Sequence, residues 1–298
     1  SLVRKAAGID FPGLPATTSW LIAEVEMDGE PVMGFTHTSE GSHAIGRRGT
    51  DEPIRLVIQQ PYFADAPEPG MEELRAGLHH VYGTDFGLSS ASWISRFTDA
   101  TRQAATYRNG RVLIAGDAAH IHPPQGGQGM GTGIQDSVNL GWKLAQVVTG
   151  VSPDSLLDSY HDERHPVGAR VLRNTRAQVA IAIQDEQHAA LREIVGDLLR
   201  LDDARKQIAS MLFALDVHYD LHDDRGSGHP LVGRRMPDLD LEVDGRPTRV
   251  FELLHDARPL LLLFDARATP FDTPASTGRL EVVAASAART CELPLIGM

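Results

Sequence analysis

One stretch constrains the fold of this chain more than any other, namely residues 111–150. Within it, the apolar run from Val112 to Ala115 predicts a short buried strand that ends at Gly116. A loop rich in proline and glycine follows from Pro123 to Gly133. Beyond the loop, apolar residues recur at three- and four-residue steps and predict a helix that ends near Gly150: Ile134, Val138, Trp142, Ala145 and Val148.

The predicted loop is suited to an electron-rich ligand. Its glycines carry no Cβ and therefore let backbone N–H groups approach a ligand closely: Gly126, Gly127, Gly129, Gly131 and Gly133. The N-terminus of the predicted helix adds positive partial charge at the same place. Asp117, at the end of the predicted strand, is placed to accept hydrogen bonds from ligand hydroxyls. The pattern indicates a ligand site built from backbone amides and one carboxylate.

Other interpretations of the same residues carry less weight. No Gly-Lys-Ser/Thr follows the loop, so it is not a Walker A phosphate loop, and the pattern G-x-G-x-x-T at 127–132 lacks the third glycine of the dinucleotide fingerprint. His120 and His122 with Asp117 form a candidate metal site, but alternate residues on a turn point apart and no further ligand cluster is adjacent. A loop that serves packing alone is disfavoured because so many glycines cost backbone entropy.

Residues 116–145 read GDAAHIHPPQGGQGMGTGIQDSVNLGWKLA. This stretch resembles, without a gap, the second flavin-binding motif of the single-component FAD-dependent aromatic hydroxylases, the para-hydroxybenzoate hydroxylase superfamily. More narrowly, it resembles the branch that acts on polyketides, rifamycins and phenols. The resemblance implies a mixed α/β (α+β) fold, in which part of a flavin-binding domain is joined to a β-sheet substrate domain, a helical segment and a partial thioredoxin-like C-terminal domain.

The resemblance also implies which residues bind FAD. Asp117 corresponds to the residue that bonds the ribityl chain, and Pro124 to a proline beside the isoalloxazine ring. The amides of Met130 and Gly131 correspond to those that face the pyrimidine edge, where a helix N-terminus stabilises the negative charge of reduced flavin. Gly131 stands where the family usually has Asn. The expected cofactor-binding set is Gly116, Asp117, Pro124, Gly127, Gly129, Met130 and Gly131.

The reaction implied by the resemblance is hydroxylation of a small aromatic substrate. NADPH or NADH reduces FAD, O₂ adds to the ring as a C4a-hydroperoxide, and one oxygen passes to an aromatic carbon. Because the cofactor carries this chemistry, neither a metal nor a catalytic side chain is expected. Two other classes stay open: a related flavoprotein such as an epoxidase, halogenase or reductase, and a non-catalytic flavin-domain piece that serves as an interaction module.

The resemblance divides the chain into four parts. Residues 1–13 are expected to be the tail of the FAD-binding domain and 14–110 the substrate-binding sheet domain. Residues 111–221 return to the FAD-binding domain and its helices, and 222–298 form an incomplete thioredoxin-like domain. That last part has no C-x-x-C, so a redox role is excluded, and packing or contact within a homodimer is expected instead.

The first residues resemble the end of the family's Asp-Gly motif, since Ser1, Val3 and Arg4 fit its tail. The Asp-Gly pair that belongs before this tail is absent, and the sequence has no G-x-G-x-x-G unit. The sequence is therefore expected to be a fragment that lacks the N-terminal dinucleotide-binding unit and, alone, binds FAD poorly.

Within 14–110, two arginines are candidates for substrate contact. Arg55 lies in a predicted strand and faces either the substrate cavity or a surface ion pair, with the surface favoured. Arg102, which like Gln103 precedes the flavin motif, resembles a family segment beside that cavity. His79 and His80 are expected on a helix surface. The predicted elements here are strands over 20–26, 54–60 and 92–97 and a helix over 71–82.

The C-terminal half is predicted to be largely helical. Ser152 is expected to cap a helix, Glu163 and Arg164 to tie it to its neighbours, and Pro166 to reset the chain direction. Two long helical stretches over 167–215 carry a broad apolar face expected to pack under the flavin domain: Leu191, Ile194, Val195, Leu198, Leu199 and Leu201. A linker over 222–233, a helix over 249–254 and a strand over 259–264 are expected to follow.

Composition narrows the class of partner. The net charge of −12 and the pI of about 5.5 argue against a nucleic acid or an anionic membrane as partner. No apolar run approaches the roughly 18 residues that a membrane span needs. The single cysteine, Cys291, excludes an internal disulfide and is consistent with the cytoplasm.

Overall fold

The computed structural model describes residues 1–38, 41–47, 49, 52–61, 63, 68–221, 229–256, 258–264 and 280–287. The chain forms two compact units, Ser1–Arg205 and Lys206–Met298. Both contain helices and strands, which confirms the predicted mixed α/β class.

The helices and strands are numbered in chain order. The helices are α1 Leu2–Ala6, α2 Met71–Tyr82, α3 Gly129–Val148, α4 Asp158–Ala182, α5 Glu186–Leu198, α6 Asp202–Leu212 and α7 Val250–Leu253. The strands of the first unit are β1 Gly13–Leu14, β2 Ser19–Met27, β3 Gly34–Thr38, β4 Gly41–Gly46, β5 Ile54–Gln59, β6 Leu88–Thr98, β7 Thr101–Gln103, β8 Arg108–Asn109, β9 Val112–Leu113 and β10 His120–Ile121. Those of the second unit are β11 Asp240–Val243, β12 Arg246–Arg249, β13 Leu260–Leu263, β14 Glu281–Ala284 and β15 Ser286–Ala287.

A five-stranded antiparallel sheet in the order β3-β4-β5-β2-β6 carries the largest core. Alternate residues of its strands point to one face, where they meet Leu74 and Leu78 of α2. Burial of each of these leucines contributes roughly 1.5–3 kcal/mol. The helix predicted over 71–82 and the strands predicted over 20–26, 54–60 and 92–97 are confirmed, although β6 is longer than predicted. His79 and His80 are exposed on α2, as predicted.

Between the five-stranded sheet and the glycine-rich loop, the chain forms three short strand pairings: β1 with β7, β7 with β10, and β8 with β9. Strand β7 pairs with both β1 and β10, so Gln103 lies opposite His120 and Arg102 opposite Ile121. The strand predicted over 112–115 is shorter than expected, because only Val112 and Leu113 pair, in a hairpin with β8. A second core lies behind these pairings and includes Ile9, Ala104, Tyr107, Ile114, Ala119 and Tyr160.

Helix α3 confirms the predicted helix, which ends at Val148 shortly before Gly150 with φ +73°. Its buried face, however, is polar: Thr132, Asp136, Asn139 and Lys143. The apolar stripe that predicted the helix lies on the exposed side, where Ile134, Val138 and Trp142 are 57%, 67% and 48% exposed. The periodicity identified the helix correctly, while its inward face is held by hydrogen bonds and ion pairs.

Helix α4 corrects two predictions. Pro166 lies inside the helix and does not reset the chain direction, although it removes one N–H from the helical ladder. Ser152 donates its hydroxyl to Gln146 Oε1 and does not cap α4, which follows a short 3₁₀ turn over Asp154–Leu157. The predicted tying role of Glu163 and Arg164 is confirmed, because both contact side chains of α3.

The apolar face predicted over 191–201 does not pack as expected. Helix α5 contains no buried residue, and Ile194, Leu198 and Leu201 are exposed. The prediction that this face packs under the flavin domain is therefore wrong for the described residues. The reason is that α5 and α6 are separate short helices, and an apolar stripe becomes buried only where another element covers it.

The second unit contains a β12-β11-β15 sheet and a parallel β13-β14 pair. Its core is formed by Leu241, Val250 and Ala285. The predicted helix over 249–254 and strand over 259–264 are confirmed as α7 and β13. Most of the predicted linker over 222–233, and Cys291, lie outside the described residues. Among the described helices, none has both the length and the apolar character needed to cross a bilayer.

Candidate functional site

A tight turn and a helix N-terminus meet at the centre of the candidate site. The chain leaves Ala115 in extended conformation and enters a 3₁₀ turn over Gly116–Ala118. Gly116 has φ +55°, which favours glycine. A Cβ on Gly133 would lie 3.5 Å from the Cα of Gly116, so the turn and the first turns of α3 are in backbone contact. Asp117 is exposed at the tip of the turn.

The glycine-rich loop between β10 and α3 is braced by α4. Asn174 donates its Nδ2 to Gln128 Oε1 at 2.6 Å, and Gly126 lies against Gln178. Gly126 and Gly127 have φ of +79° and +64°, values that L side chains rarely adopt. Pro124 is exposed. The loop conformation thus depends on glycine at these two positions and on side chains from another helix.

The N-terminus of α3 is open. Its N-cap residue, Gln128, makes no side-chain capping hydrogen bond. The first N–H groups of a helix have no partner within the helix. Here Met130 is 81% exposed, and a Cβ added to Gly131 would meet no other atom within 4 Å. These amides are therefore available to an electron-rich ligand.

A cavity of about 510 Å³ adjoins this helix end. Its lining is Ala115, Gly116, Met130, Gly133, Ile134, Ser137 and Val138. The volume falls within the roughly 300–1,000 Å³ of ordinary small-molecule sites. Of the predicted cofactor-binding set, the cavity brings together Gly116 and Met130, with Asp117 and Gly131 next to them in the chain. Gly129 is the first residue of α3 and does not line the cavity, and Pro124 and Gly127 lie in the exposed loop.

His120, in β10, and His122, in the loop, do not converge on one point. His120 Nε2 lies 2.7 Å from Asp136 Oδ2, whereas His122 Nδ1 lies 2.8 Å from the carbonyl oxygen of Pro123. Burial lowers the pKa of His122, which favours the neutral ring. Within the described part of the chain, no group of three or more His, Cys, Asp or Glu side chains is arranged to hold a metal ion.

A buried charged network lies beneath the turn. Asp136 accepts hydrogen bonds from the Gly116 N–H and from Arg164 Nε, at 3.1 and 2.8 Å, and contacts His120. Burial alone would raise the pKa of Asp136, but the bonds from His120 and Arg164 outweigh that effect and lower it. The carboxylate is therefore ionised and paired inside the protein.

Two buried tyrosines fix the strand that leads into the turn. The Tyr160 hydroxyl donates to the carbonyl oxygen of Ile114 at 2.9 Å, and Gln103 Nε2 donates to the Tyr107 hydroxyl at 2.8 Å. Burial raises the pKa of both phenols, so both stay neutral. Neither tyrosine lines the cavity. The Tyr160 hydroxyl holds the backbone at Ile114, and the Tyr107 hydroxyl holds the side chain of Gln103.

The two candidate substrate arginines lie in different sheets. Arg55, in β5, is half exposed and pairs with Glu24 at 3.0 Å, which is the surface ion pair favoured from the sequence. Arg102, in β7, donates NH1 to the Phe11 carbonyl oxygen at 3.3 Å and lies opposite Ile121, just before the glycine-rich loop. Their roles toward a substrate stay predictions.

The face of the five-stranded sheet opposite α2 carries aromatic side chains. Trp20 and Phe97 stack with ring centroids 5.3 Å apart and planes 6° apart. Alternation along the strands places Trp93 and the Glu24–Arg55 pair on the same face, across from one another in register. Such a surface offers flat apolar area together with one charged pair.

Sequence reasoning missed the buried network. Its signal was present, because polar residues recur at helical spacing along one side of α3: Gln128, Thr132, Asp136, Asn139 and Lys143. The apolar residues of the opposite side predict the helix but do not mark its inward face. Recurrent polar residues within a helix beside a glycine-rich loop indicate a buried hydrogen-bonding face.

Comparison with known proteins gives two family matches. Residues 1–175 match the family described as FAD binding domain. Residues 229–295 match the family described as aromatic-ring hydroxylase, C-terminal. The first match includes the turn and the glycine-rich loop. The second match lies within the second unit.

Individual relatives agree with these matches. The chain is 42% identical over 268 residues to a rifampicin monooxygenase of Streptomyces venezuelae, covering 88% of this chain and 55% of that protein. It is similar to the solved structure of OxyS anhydrotetracycline hydroxylase from Streptomyces rimosus, with TM-score 0.87, 39% identity, and coverage of 97% of this chain and 59% of that one. The solved Diels-Alderase PyrE3 of pyrroindomycin biosynthesis has TM-score 0.79 and 35% identity, with coverage of 98% and 60%. The chain thus spans somewhat more than half the length of these proteins.

Proposed function

Because the chain belongs to the FAD binding domain family of the aromatic-ring hydroxylases, we propose that it functions as an FAD-dependent monooxygenase. Its substrate is a planar aromatic compound such as a polyketide, a rifamycin-type antibiotic or a phenol, and NADPH or NADH is the reductant. The observation that carries this proposal is the open N-terminus of α3 beside the Asp117 turn and the adjoining cavity.

The residues present fit a flavin. The uncapped amides near Met130 and Gly131 suit the pyrimidine edge of the ring, where charge develops on reduction. The exposed carboxylate of Asp117 suits hydroxyls of a ribityl chain, and Gly131 leaves room for close approach of the ring. When bound, FAD would supply the redox chemistry and the activation of O₂. The protein's own groups bind the flavin and orient it.

The substrate is proposed to lie against the aromatic face of the five-stranded sheet. Trp93, which is exposed, and Phe97 offer flat surfaces for stacking, while Trp20 is buried against Phe97 and supports it. Stacking contacts contribute about 0.5–1.5 kcal/mol per aromatic pair. The Glu24–Arg55 pair offers a donor and an acceptor for phenol or keto groups. The relatives named for rifampicin and anhydrotetracycline support a polycyclic aromatic substrate.

A cytoplasmic homodimer is part of the proposal, with the second unit as the contact region.

Flavin titration tests the cofactor part. The chain is expected to quench the fluorescence of FAD and of riboflavin with similar, weak affinity, because the described site contacts only the ring end that both ligands share. Asp117→Ala should weaken both by roughly three- to tenfold, the effect of losing one hydrogen bond of about 1 kcal/mol. Asp202→Ala, an exposed acidic residue of α6, is the control and should change neither. No quenching by the wild-type chain, or equal affinity in Asp117→Ala, would contradict the proposal.

A second function is supported by the similarity to the Diels-Alderase PyrE3. A protein of this fold could hold flavin and shape a reaction without transferring oxygen. Mass spectrometry distinguishes the two. A product that is 16 mass units heavier than the substrate under ordinary O₂, and 18 units heavier under ¹⁸O₂, indicates the monooxygenase. A product of unchanged mass indicates an isomerising enzyme. Oxygen consumption without an oxygenated product would indicate a reductase, and incorporation of chloride a halogenase.

A further inference from the structure

The carboxylate of Asp136 joins three separate elements. It is fully buried and accepts a hydrogen bond from the backbone N–H of Gly116, in the turn. Its other partners are His120, at the start of β10, and Arg164, in α4. An ionised carboxylate only accepts, so His120 must donate from Nε2. The side chain of one α3 residue therefore fixes the turn that presents Asp117.

Arg164 extends the same network to the opening turns of α3. Its side chain is fully buried and also donates NH2 to the Thr132 carbonyl oxygen and NH1 to Gln135 Oε1, each at 3.3 Å. The turn and the opening of α3 are thus held against α4 by one ion pair. A buried pair of this kind adds little net stability when compared with apolar residues, but removal of one partner is costly.

We infer that Asp136 is a positioning residue for the flavin site. Held by His120 and Arg164, its carboxylate sets the distance and orientation between the Asp117 turn and the amides at the N-terminus of α3. The inference rests on the proposed function, because it is flavin that must contact both parts at once. Asp136 does not line the cavity, but it governs how well the Asp117 turn and the α3 amides together match one ligand.

The test compares Asp136→Asn with Lys143→Met in the same chain. Lys143 is also fully buried in α3 and pairs with Glu163 of α4 at 2.8 Å, but it does not contact the turn. Both variants remove one charge from a buried pair between the same two helices. Asp136→Asn is expected to raise the hydrogen-exchange rate of the Gly116 amide and the Kd for riboflavin at least tenfold. Lys143→Met should leave both within twofold of wild type even where it lowers Tm.

A second pair of variants covers the case in which Asp136→Asn fails to fold. His120→Gln keeps an N–H donor near the position of Nε2, whereas His120→Leu removes it. The glutamine variant should keep the slow Gly116 exchange and the wild-type Kd, and the leucine variant should lose both.

The outcomes separate the two proposals. Fast Gly116 exchange in Asp136→Asn or His120→Leu, with absent flavin binding in the wild type, supports the link between Asp136 and the turn and overturns the proposed function. Slow exchange and unchanged Kd in the folded Asp136→Asn or His120→Leu variant overturn the positioning role. An equal rise of Kd in Lys143→Met also overturns it, because a general loss of rigidity would then explain the effect.

Discussion

The hydroxyl of Tyr107 lies against the Cα of Gly168, such that a Cβ on this glycine would stand 2.5 Å from the oxygen. Gln103 Nε2 would be 2.7 Å from the same Cβ. Helix α4 can therefore pack this closely against Tyr107 and Gln103 only because Gly168 has no side chain. This close packing lies behind β7 and the strand that enters the turn.

Gly168→Ala should therefore destabilise the protein. Overpacking of a filled interior typically costs about 1–3 kcal/mol, more than the small gain in helix propensity. The measurement is the free energy of unfolding from urea denaturation. Gly196→Ala in α5 is the control, because nothing lies within 4 Å of its Cβ position, and it should stabilise by roughly 0.5–1 kcal/mol. Equal stability of both variants would show that α4 shifts to accommodate the methyl group.

Gly131→Asn is expected to tighten flavin binding. The position has open space around it, so the side chain fits without a clash and an amide becomes available beside the helix N-terminus. One added hydrogen bond, worth about 0.5–1.5 kcal/mol, predicts an increase in riboflavin affinity of roughly two- to tenfold. Fluorescence titration measures it. Gly131→Ala is the control, because it restricts the backbone as asparagine does but adds no amide group. An equal gain of riboflavin affinity in both variants would assign the effect to the backbone.

The contribution of Asp136 to stability should depend on pH in the acid range. Its folded-state pKa is lowered, so the stabilisation is complete above the ordinary aspartate value of about 4 and is lost as the pH falls through the lower folded value. The stability difference between wild type and Asp136→Asn should thus be largest near pH 6 and shrink below about pH 4. Urea denaturation between pH 3 and pH 6 tests this. A constant difference across the range would show that the charge of Asp136 is not the cause.

The exposed stripe of α3 should bind apolar dyes. Exposed apolar patches favour association, and Ile134, Val138 and Trp142 lie side by side at helical spacing. The double variant Ile134→Gln/Val138→Gln should lower the fluorescence of bound ANS and raise solubility, with a change in unfolding free energy below about 0.5 kcal/mol. Leu74→Gln in the sheet core is the contrast, since Leu74 is fully buried and its replacement should destabilise strongly. Strong destabilisation by the double variant would mean that the stripe is packed in solution.

Local patterns predicted the elements that depend mainly on local residues. The bounds of α2 follow from its apolar spacing and from Gly83, and the end of α3 from its stripe and Gly150. The start of α3 was not predicted correctly, because the helix begins at Gly129, within the loop predicted to extend to Gly133. The loop was predictable because its glycines and Asp117 lie in one continuous stretch that resembles a family motif. The β3-β4 hairpin was not predicted, because its residues alternate weakly and acquire their register only from β5.

The inward face of α3 could not be derived from apolar periodicity. Which side of a helix is buried depends on what covers it. Here Arg164 covers Asp136 from 28 residues further along the chain, and Glu163 covers Asn139 from 24 residues further along. The pairing of Asp136 with Gly116 likewise joins residues 20 apart. The prediction for Pro166 was wrong for a related reason, because the surrounding packing maintains α4 through a residue that would end an isolated helix.

The contact between Gly116 and Gly133 consists of main-chain atoms alone. No rotamer change can widen or narrow it, so the gap between turn and helix has a fixed width on the timescale of side-chain motion. Any adjustment to ligands of different thickness must then come from hinge movement elsewhere or from rotamer changes of exposed side chains such as Met130. Directed evolution for bulkier cofactors should accumulate changes at such places and leave these two positions untouched.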